Sequence, residues 1–314
     1  LRHGLYRDLA VGCAPDGAEI WASRASYATG VSIGAPPDPF SASGQIWNLP
    51  PLNPHGMAAD GFAFFRSLIA ANMRHAGMLR IDHAMGLMRL FWVPDGARTE
   101  EGAYVAYPLQ HLLGVVSEES RSHRCMVVGE DLGTVPDGFR EALTERAILS
   151  YRVLWFERND QGFRAPEAYP RLAAACISTH DIATLAGWWS AQDLIEKARL
   201  GLIADIDAAR TERRDEKAAV IDLLIARGSI AVRPDPEAPL TDPCAAALHR
   251  LIADTPSLFA FAQADDLCGA TQAVNLPGTD RERPNWRHRL PDDVEDMFGT
   301  PRALAILAAL RARH

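Results

Sequence analysis

Short apolar runs that end in polar or charged residues alternate along this chain with segments in which apolar residues recur at helical spacing. This alternation predicts strands and helices that follow one another and build a parallel sheet, so the expected fold class is α/β. Six runs are predicted strands, at residues 5–13, 77–82, 126–130, 149–156, 175–179 and 258–264.

Helices are predicted between these strands and after the last one. Residues 60–75 and 138–146 show helical periodicity, and 301–313 place Leu304, Ile306, Leu307 and Leu310 at helical spacing. Residues 191–226 lack proline and predict two long amphipathic helices, a helical insertion before the last strand. Their charges between 210 and 217 are interpreted as a solvated face. Four prolines within 234–243 predict a loop.

The composition is that of a globular protein. Its 314 residues are 48% apolar, enough for a large core, and the net charge of −8 argues against a nucleic-acid surface. We find no apolar run of the roughly 18 to 20 residues that a membrane helix needs, and no signal segment at the start. We therefore expect neither nucleic acid nor membrane as a partner, and a cytoplasmic location.

The cysteines and tryptophans carry little of the argument. Five scattered cysteines, without a CxxC pair or histidines at ligand spacing, are interpreted as reduced thiols rather than a metal site. We interpret most tryptophans, Trp21 and Trp286 among them, as core or cleft wall.

Three predicted strands lead into carboxylates. Asp82 follows Leu-Arg-Ile, Glu130 follows Met-Val-Val-Gly, and Asp181 follows Cys-Ile-Ser-Thr-His. In a parallel barrel the C-terminal strand ends converge on one face, so the three carboxylates should meet around one cleft. Taken singly, each has an ordinary interpretation as a helix cap or salt-bridge partner.

Paired carboxyls are the groups that cleave glycosidic bonds with retention, one as nucleophile and one as acid. Arg80 lies two residues before Asp82 on the same strand face, and its charge should keep Asp82 ionised. The acid should have its pKa raised by neighbouring negative charge and partial desolvation.

Further motifs accompany the carboxylates in a fixed order. They are residues 11–21, residues 34–47, Arg80-Ile81-Asp82-His83, Gly129-Glu130-Asp131-Leu132-Gly133, Ser178-Thr179-His180-Asp181 and residues 274–279. Over nearly the whole chain this set resembles the 4-α-glucanotransferases, called amylomaltase or disproportionating enzyme, of glycoside hydrolase family 77.

The resemblance implies a (β/α)8 fold of the TIM-barrel type. It begins near the family's third strand, so we expect the first two strands to be lacking here. Residues 1–314 would form one catalytic barrel domain, N-terminally incomplete, with 191–226 as the helical insertion. It also implies that Asp82 is the nucleophile, Glu130 the acid and then base, and Asp181 the stabiliser of the distorted sugar.

Further residues of these motifs would bind the sugar. The resemblance implies this role for Arg80, His83, His180, Asp16, Asp38, Gln45, Trp47 and Asn275. Trp47 alone is as readily a packing residue, and Asn275 a turn residue. Residues 32–54 would be either a cover that excludes water or an ordinary surface loop. The expected substrate is a maltodextrin or other α-1,4-glucan, and no cofactor or metal is implied.

Two alternatives remain open from the sequence. One is an α-glucan hydrolase of the α-amylase type, which would use the same carboxylates with water as acceptor. The other is an inactive truncated fragment that only binds glucan. The oligomeric state is not indicated by any pattern in the chain.

Overall fold

The structure is a computed structural model that describes residues 3–37, 44–160, 162–279 and 281–312. The chain folds as two compact units, unit 1 (Leu1–Tyr151) and unit 2 (Arg152–His314).

The strands of unit 1 are β1 (Tyr6–Leu9), β2 (Val31–Ala35), β3 (Gln45–Ile46), β4 (Met78–Ile81), β5 (Arg89–Pro94), β6 (Ala103–Ala106), β7 (Met126–Gly129) and β8 (Leu149–Val153), within which the unit ends. Its helices are α1 (Ala18–Ala22), α2 (Pro54–Ala59), α3 (Ala63–Met73), α4 (Leu109–His123) and α5 (Phe139–Glu145).

The strands of unit 2 are β9 (Arg158–Asn159), β10 (Gly162–Phe163), β11 (Ala173–Cys176) and β12 (Phe259–Phe261). Its helices are α6 (Leu185–Trp189), α7 (Gln192–Arg199), α8 (Ile206–Ala226), α9 (Asp242–Ala253), α10 (Ala264–Cys268), α11 (Val294–Met297) and α12 (Pro301–Arg311).

A parallel sheet forms the centre of unit 1. Strand β1 pairs with β4, β4 with β7, and β7 with β8, all in parallel. Every residue of β4 is buried, as expected for a parallel strand covered on both faces, and three of its four residues are apolar, with Arg80 as the exception. Helix α3 packs the predicted apolar stripe inward, with Phe65, Ile69 and Met73 buried.

The predicted elements are present in unit 1, but several are shorter than predicted. Helix α3 begins at Ala63 because Asp60 accepts hydrogen bonds from the backbone N–H groups of Ala63 (3.2 Å) and Phe64 (3.0 Å), which fixes its first turn. The strand predicted to reach residue 156 ends at Val153 and continues as a 3-10 turn.

A second sheet was not predicted. Strands β3, β2, β5 and β6 are neighbours in that order, all antiparallel. The segment 32–54, predicted to be a cover or loop, therefore supplies parts of two strands. The pairing of β2 with β3 requires a glycine at position 34, because a Cβ there would lie 2.2 Å from the Gln45 carbonyl oxygen.

Unit 2 contains the parallel pair β11–β12 and the antiparallel pair β9–β10. The predicted helix pair is present as α7 and α8, but only α8 is long, since α7 has eight residues. The predicted final helix is α12. The loop predicted at 234–243 is too long by two residues. Thr241 caps α9 by accepting from Cys244 N, and Pro243 occupies its first turn, where proline is favourable.

The charged stretch of α8 is not only a solvated face, and that prediction is wrong for two residues. Arg213 is buried and donates to both oxygens of Asp193, at 2.8 and 2.9 Å, and to Trp188 O. Lys217 is also buried and donates to Trp189 O at 3.2 Å. Both side chains attach α8 to the helices before it.

None of the helices in the described part of the chain combines the length and the apolar character that crossing a membrane requires.

Candidate active site

Asp82 lies one residue beyond β4 and forms an ion pair with Arg80, whose Nη2 is 2.8 Å from Asp82 Oδ1. The second terminal nitrogen of the Arg80 guanidinium, Nη1, donates to both oxygens of Asp8, at 2.7 and 2.9 Å. Burial disfavours the charge on Arg80, but the carboxylates of Asp82 and Asp8 outweigh it and raise the pKa of Arg80. Arg80 is thus a permanent cation held beside Asp82.

Sequence reasoning did not identify Asp8. Asp8 is the register partner of Arg80 in the pairing of β1 with β4, which places the two side chains next to each other. The signal available in the sequence was a lone aspartate within the first predicted strand, but the register that gives it meaning is a tertiary property.

Glu130 lies one residue beyond β7 and is buried. Its Oε1 accepts from Leu132 N at 2.7 Å and its Oε2 from His83 N at 2.9 Å. Burial, and then the negative charge of Asp82, raise the pKa of Glu130 to about 7, although both amides and Arg80 oppose the rise. This carboxyl can therefore both give and take a proton near neutral pH.

His83 has left-handed backbone, with φ of 44°, an uncommon conformation for a residue with a side chain. In this conformation its N–H donates to Glu130 Oε2, and the next amide, of Ala84, donates to Glu130 O at 2.9 Å. Burial lowers the pKa of the His83 imidazole to about 4, so the ring is neutral at neutral pH.

Strand β3 brings two further predicted residues to this region. Trp47 packs edge-on against His83, with ring centroids 5.3 Å apart, and donates from Nε1 to Gln45 Oε1 at 3.0 Å. Asp16 is exposed in the turn before α1. Asp38 lies outside the described residues.

In unit 2, Asp181 is held by two of the predicted residues. His180 Nε2 is 2.9 Å from Asp181 Oδ2, and Asn275 Nδ2 donates to Asp181 Oδ1 at 2.7 Å. The side chains of His180 and Asp181 are about one-third exposed. The carboxylate is therefore fixed in position while remaining accessible to a ligand.

Asp266 on α10 was missed, although it supports the segment that carries Asp181. Its Oδ1 accepts from Leu185 N at 2.7 Å and its Oδ2 from Ser178 Oγ at 3.5 Å, so it contacts the chain on both sides of Asp181. His249 Nε2 lies 3.9 Å from Asp266 Oδ2, and both side chains are buried. Burial raises the pKa of Asp266 to about 7.

Asp131, next to Glu130, has a comparable role in unit 1. Its fully buried carboxylate accepts from Arg140 Nε at 2.7 Å, and from Ser150 Oγ and Tyr151 N, each at 2.8 Å. These bonds connect the end of β7 to α5 and β8. A sequence reader sees only a second acidic residue after Glu130, because its partners are brought together by the fold.

Two of the tryptophans interpreted as mainly core or cleft wall are not core residues. Trp21 is 88% exposed and Trp286 is 62% exposed. The ring of Trp286 lies 5.2 Å from that of His180.

Among the described residues, no group of three or more His, Cys, Asp or Glu side chains is arranged to hold a metal ion.

Parallel strands joined by helices, with Asp82 and Glu130 one residue beyond the C-terminal ends of β4 and β7, define an α/β protein of the TIM-barrel type. The family model described as 4-alpha-glucanotransferase, glycoside hydrolase family 77, matches residues 2–295. This chain belongs to that family.

Curated relatives agree with this assignment. A 4-alpha-glucanotransferase of Haemophilus influenzae is 37% identical over 303 residues, which are 95% of this chain and 43% of the relative. One of Mycobacterium bovis is 37% identical over 321 residues, 98% of this chain and 44% of the relative. The chain therefore spans less than half the length of these curated relatives.

Solved structures give the same result for the fold. Amylomaltase from Corynebacterium glutamicum matches with a TM-score of 0.92 at 31% identity, covering 97% of this chain and 46% of that one. Amylomaltase from Streptococcus agalactiae in complex with acarbose matches with a TM-score of 0.73 at 19% identity, covering 98% of this chain and 56% of that one, a likeness of fold alone.

Proposed function

We propose that this chain acts as a 4-α-glucanotransferase, which moves α-1,4-glucan segments between maltodextrins by a retaining double displacement. The observation that carries the proposal is the pair formed by Asp82, held beside the Arg80 cation, and Glu130, a buried carboxyl with a pKa raised to about 7. One group suits a nucleophile and the other an acid that becomes a base.

The proposed first step cleaves the donor. Asp82 attacks the anomeric carbon, a carbon–oxygen bond forms between them, and the bond from that carbon to the glucosidic oxygen breaks. Glu130 gives its proton to the departing oxygen, which leaves as a sugar hydroxyl. In the second step Glu130, now a carboxylate, takes the proton from an acceptor 4-hydroxyl, whose oxygen attacks the same carbon and releases Asp82.

The remaining predicted residues are proposed to hold the sugar. Asp181 would stabilise the distorted ring, since its carboxylate is fixed by His180 and Asn275 yet accessible. The proposed ligands of sugar hydroxyls are Arg80, His83, His180, Asp16, Asp38, Gln45, Trp47 and Asn275. The contacts of Trp47 with His83 and Gln45 support a shared subsite in unit 1.

The proposed substrate is a maltodextrin or another α-1,4-glucan, and carboxylate chemistry of this kind requires no cofactor. The acarbose bound by the Streptococcus agalactiae relative supports a sugar ligand. A cytoplasmic location and one catalytic domain over residues 1–314 remain predictions, and the match of the family model to 2–295 supports the second.

Product analysis tests the proposal. Incubation of the chain with maltotriose should yield glucose together with maltodextrins longer than the substrate. Release of short sugars without longer products would point to the hydrolase instead. Absence of any product from a folded chain would favour the fragment that only binds glucan. Asp82→Asn is the control, because it keeps the shape of the side chain and removes the nucleophile.

A further inference from the structure

Trp286 combines two features that are unfavourable in a protein without a ligand. Its indole is 62% exposed, so a large apolar surface faces water. Its backbone has φ of 60°, in the left-handed region where a residue with a Cβ is strained. Strained non-glycine residues persist only where the surrounding structure enforces them, and they cluster at functional sites.

Hydrogen bonds to neighbouring segments hold the chain at Trp286 in place. Trp286 N donates to Val274 O at 2.8 Å. The preceding residue, Asn285, accepts from Leu276 N at 3.1 Å and donates to the carbonyl and hydroxyl oxygens of Thr279, at 3.0 and 2.9 Å. The chain before Trp286 is thus bound to the turn that follows Asn275.

Arg283 completes the support. It is 3% exposed, donates to Asn285 Oδ1 at 2.6 Å and to Ala273 O, and pairs with Glu196 Oε1 at 2.9 Å. A buried guanidinium needs partners for its donors, and here Asn285 in the segment before Trp286, Ala273 before the turn and Glu196 on α7 supply them. The support reaches the same turn, 274–279, that supplies Asn275.

The exposed indole lies beside His180, which contacts Asp181. Its ring centroid is 5.2 Å from that of His180, with the planes tilted by 48°. His180 in turn contacts Asp181 at 2.9 Å, and Asn275 contacts the other oxygen of that carboxylate. Two polar groups that suit sugar hydroxyls therefore adjoin an accessible aromatic surface.

We propose that Trp286 is a stacking platform for a glucosyl unit of the α-glucan, next to the unit held by Asp181, so that it determines affinity for the chain of the substrate. This inference rests on the proposed function. An indole face is apolar and suits the C–H surface of a pyranose ring, while His180 and Asn275 offer hydrogen bonds at its edge. The strain then serves to fix the indole before the sugar arrives, which reduces the entropy cost of binding.

The test uses the difference between Trp286→Gly and Trp286→Phe. Glycine adopts the left-handed backbone without strain, so Trp286→Gly should keep or raise Tm while removing the platform. It should weaken maltoheptaose binding about tenfold, measured by calorimetry in the Asp82→Asn chain, where turnover is blocked. Trp286→Phe should retain part of the affinity, and Phe298→Ala, another exposed aromatic of unit 2, should leave it unchanged.

Two further readouts separate binding from folding. In the chain with Asp82 intact, Trp286→Gly should raise KM for maltotriose more than it lowers kcat. The change in tryptophan emission on adding maltoheptaose should be diminished in Trp286→Phe and preserved in Trp21→Phe.

The outcomes distinguish the two proposals. If the unaltered chain turns over maltotriose and Trp286→Gly binds maltoheptaose equally well, the platform is wrong and the proposed function stands. A loss of Tm in Trp286→Gly together with unchanged affinity also rejects the platform, in favour of a packing role. If the unaltered chain does not turn over maltotriose and the Asp82→Asn chain does not bind maltoheptaose, the proposed function fails, and the proposed platform fails with it.

Discussion

The backbone N–H of His83 donates to Glu130 Oε2 across 2.9 Å, from a residue with left-handed backbone. The geometry of one strand end therefore sets the position of a carboxyl on the next strand. Because the donor is a backbone group, this contact does not depend on the identity of the side chain at 83, whereas the ability to adopt the conformation does.

Substitutions at His83 should separate backbone from side chain. Compared with His83→Ala, His83→Gly should be more stable by about 1 kcal/mol, because glycine adopts positive φ without strain. Urea denaturation measures this difference. Both variants lose the imidazole, so each should bind maltodextrin more weakly than the unaltered chain. An alanine variant as stable as the glycine variant would show that residue 83 can abandon the left-handed conformation without loss of stability.

Glu130 should set the alkaline limb of the pH profile. Its pKa, raised to about 7, means that the protonated acid is available below neutrality and is lost as pH rises. We expect kcat/KM for maltotriose to fall about tenfold per pH unit well above that pKa. Steady-state rates between pH 5 and 9 test this, and Glu130→Gln should abolish transfer. A rate that stays level up to pH 9 would contradict Glu130 as the acid.

Asp8 should act on catalysis through Arg80. Asp8→Asn removes one of the two charges that fix the guanidinium, and we expect kcat to fall about three- to tenfold with a smaller change in KM. The moderate size reflects the partial exposure of the Asp8 side chain, 42%. Asp95→Asn, at another exposed aspartate of unit 1, is the matched control. Equal effects of the two variants on kcat would exclude an action of Asp8 on catalysis through Arg80.

Asp266 should make stability depend on pH in an unusual direction. Its pKa in the folded chain, about 7, exceeds the value of about 3.9 for an unfolded aspartate. Between these values the folded state binds more protons, so the contribution of Asp266 to stability falls as pH rises, by about 1 kcal/mol per unit. His249 works in the opposite direction below about pH 6.5, because burial lowers its pKa to about 4.

The variant Asp266→Asn isolates this contribution. Its stability relative to the unaltered chain should increase from pH 4 to pH 7, as measured by urea denaturation at each pH. Asparagine retains an acceptor for Leu185 N, so the segment that carries Asp181 keeps its anchor. Asp296→Asn, at an exposed aspartate of unit 2, is the control. A difference in stability that is constant with pH would show that Asp266 is ionised when buried.

The sequence carried the positions of the parallel strands and the first residues of the site. The runs before Asp82, Glu130 and Asp181 are apolar because β4, β7 and β11 are largely buried, and burial is what hydrophobic patterning reports. The antiparallel sheet escaped prediction because its strands are short, and β3 has only two residues.

The supporting residues were missed for a different reason. The partner of Asp8 lies 72 positions away in the chain. The partners of Asp131 lie 9 to 20 positions away, and those of Asp266 lie 81 to 88 positions away. An acidic residue that satisfies a distant backbone amide resembles any surface acid in sequence. The strain at His83 and Trp286 is likewise a property of backbone that side-chain patterns do not encode.

The position of Asp8 has a consequence for inactivation. It lies on β1, whose residues are mostly exposed, while its partner Arg80 is buried on β4. Local fraying of β1 would leave the guanidinium with one counter-charge fewer while the more buried strands stay paired. Mild heat or denaturant should therefore abolish activity at Asp82 before the chain unfolds globally. Cooling should restore the activity at the rate at which β1 pairs with β4 again.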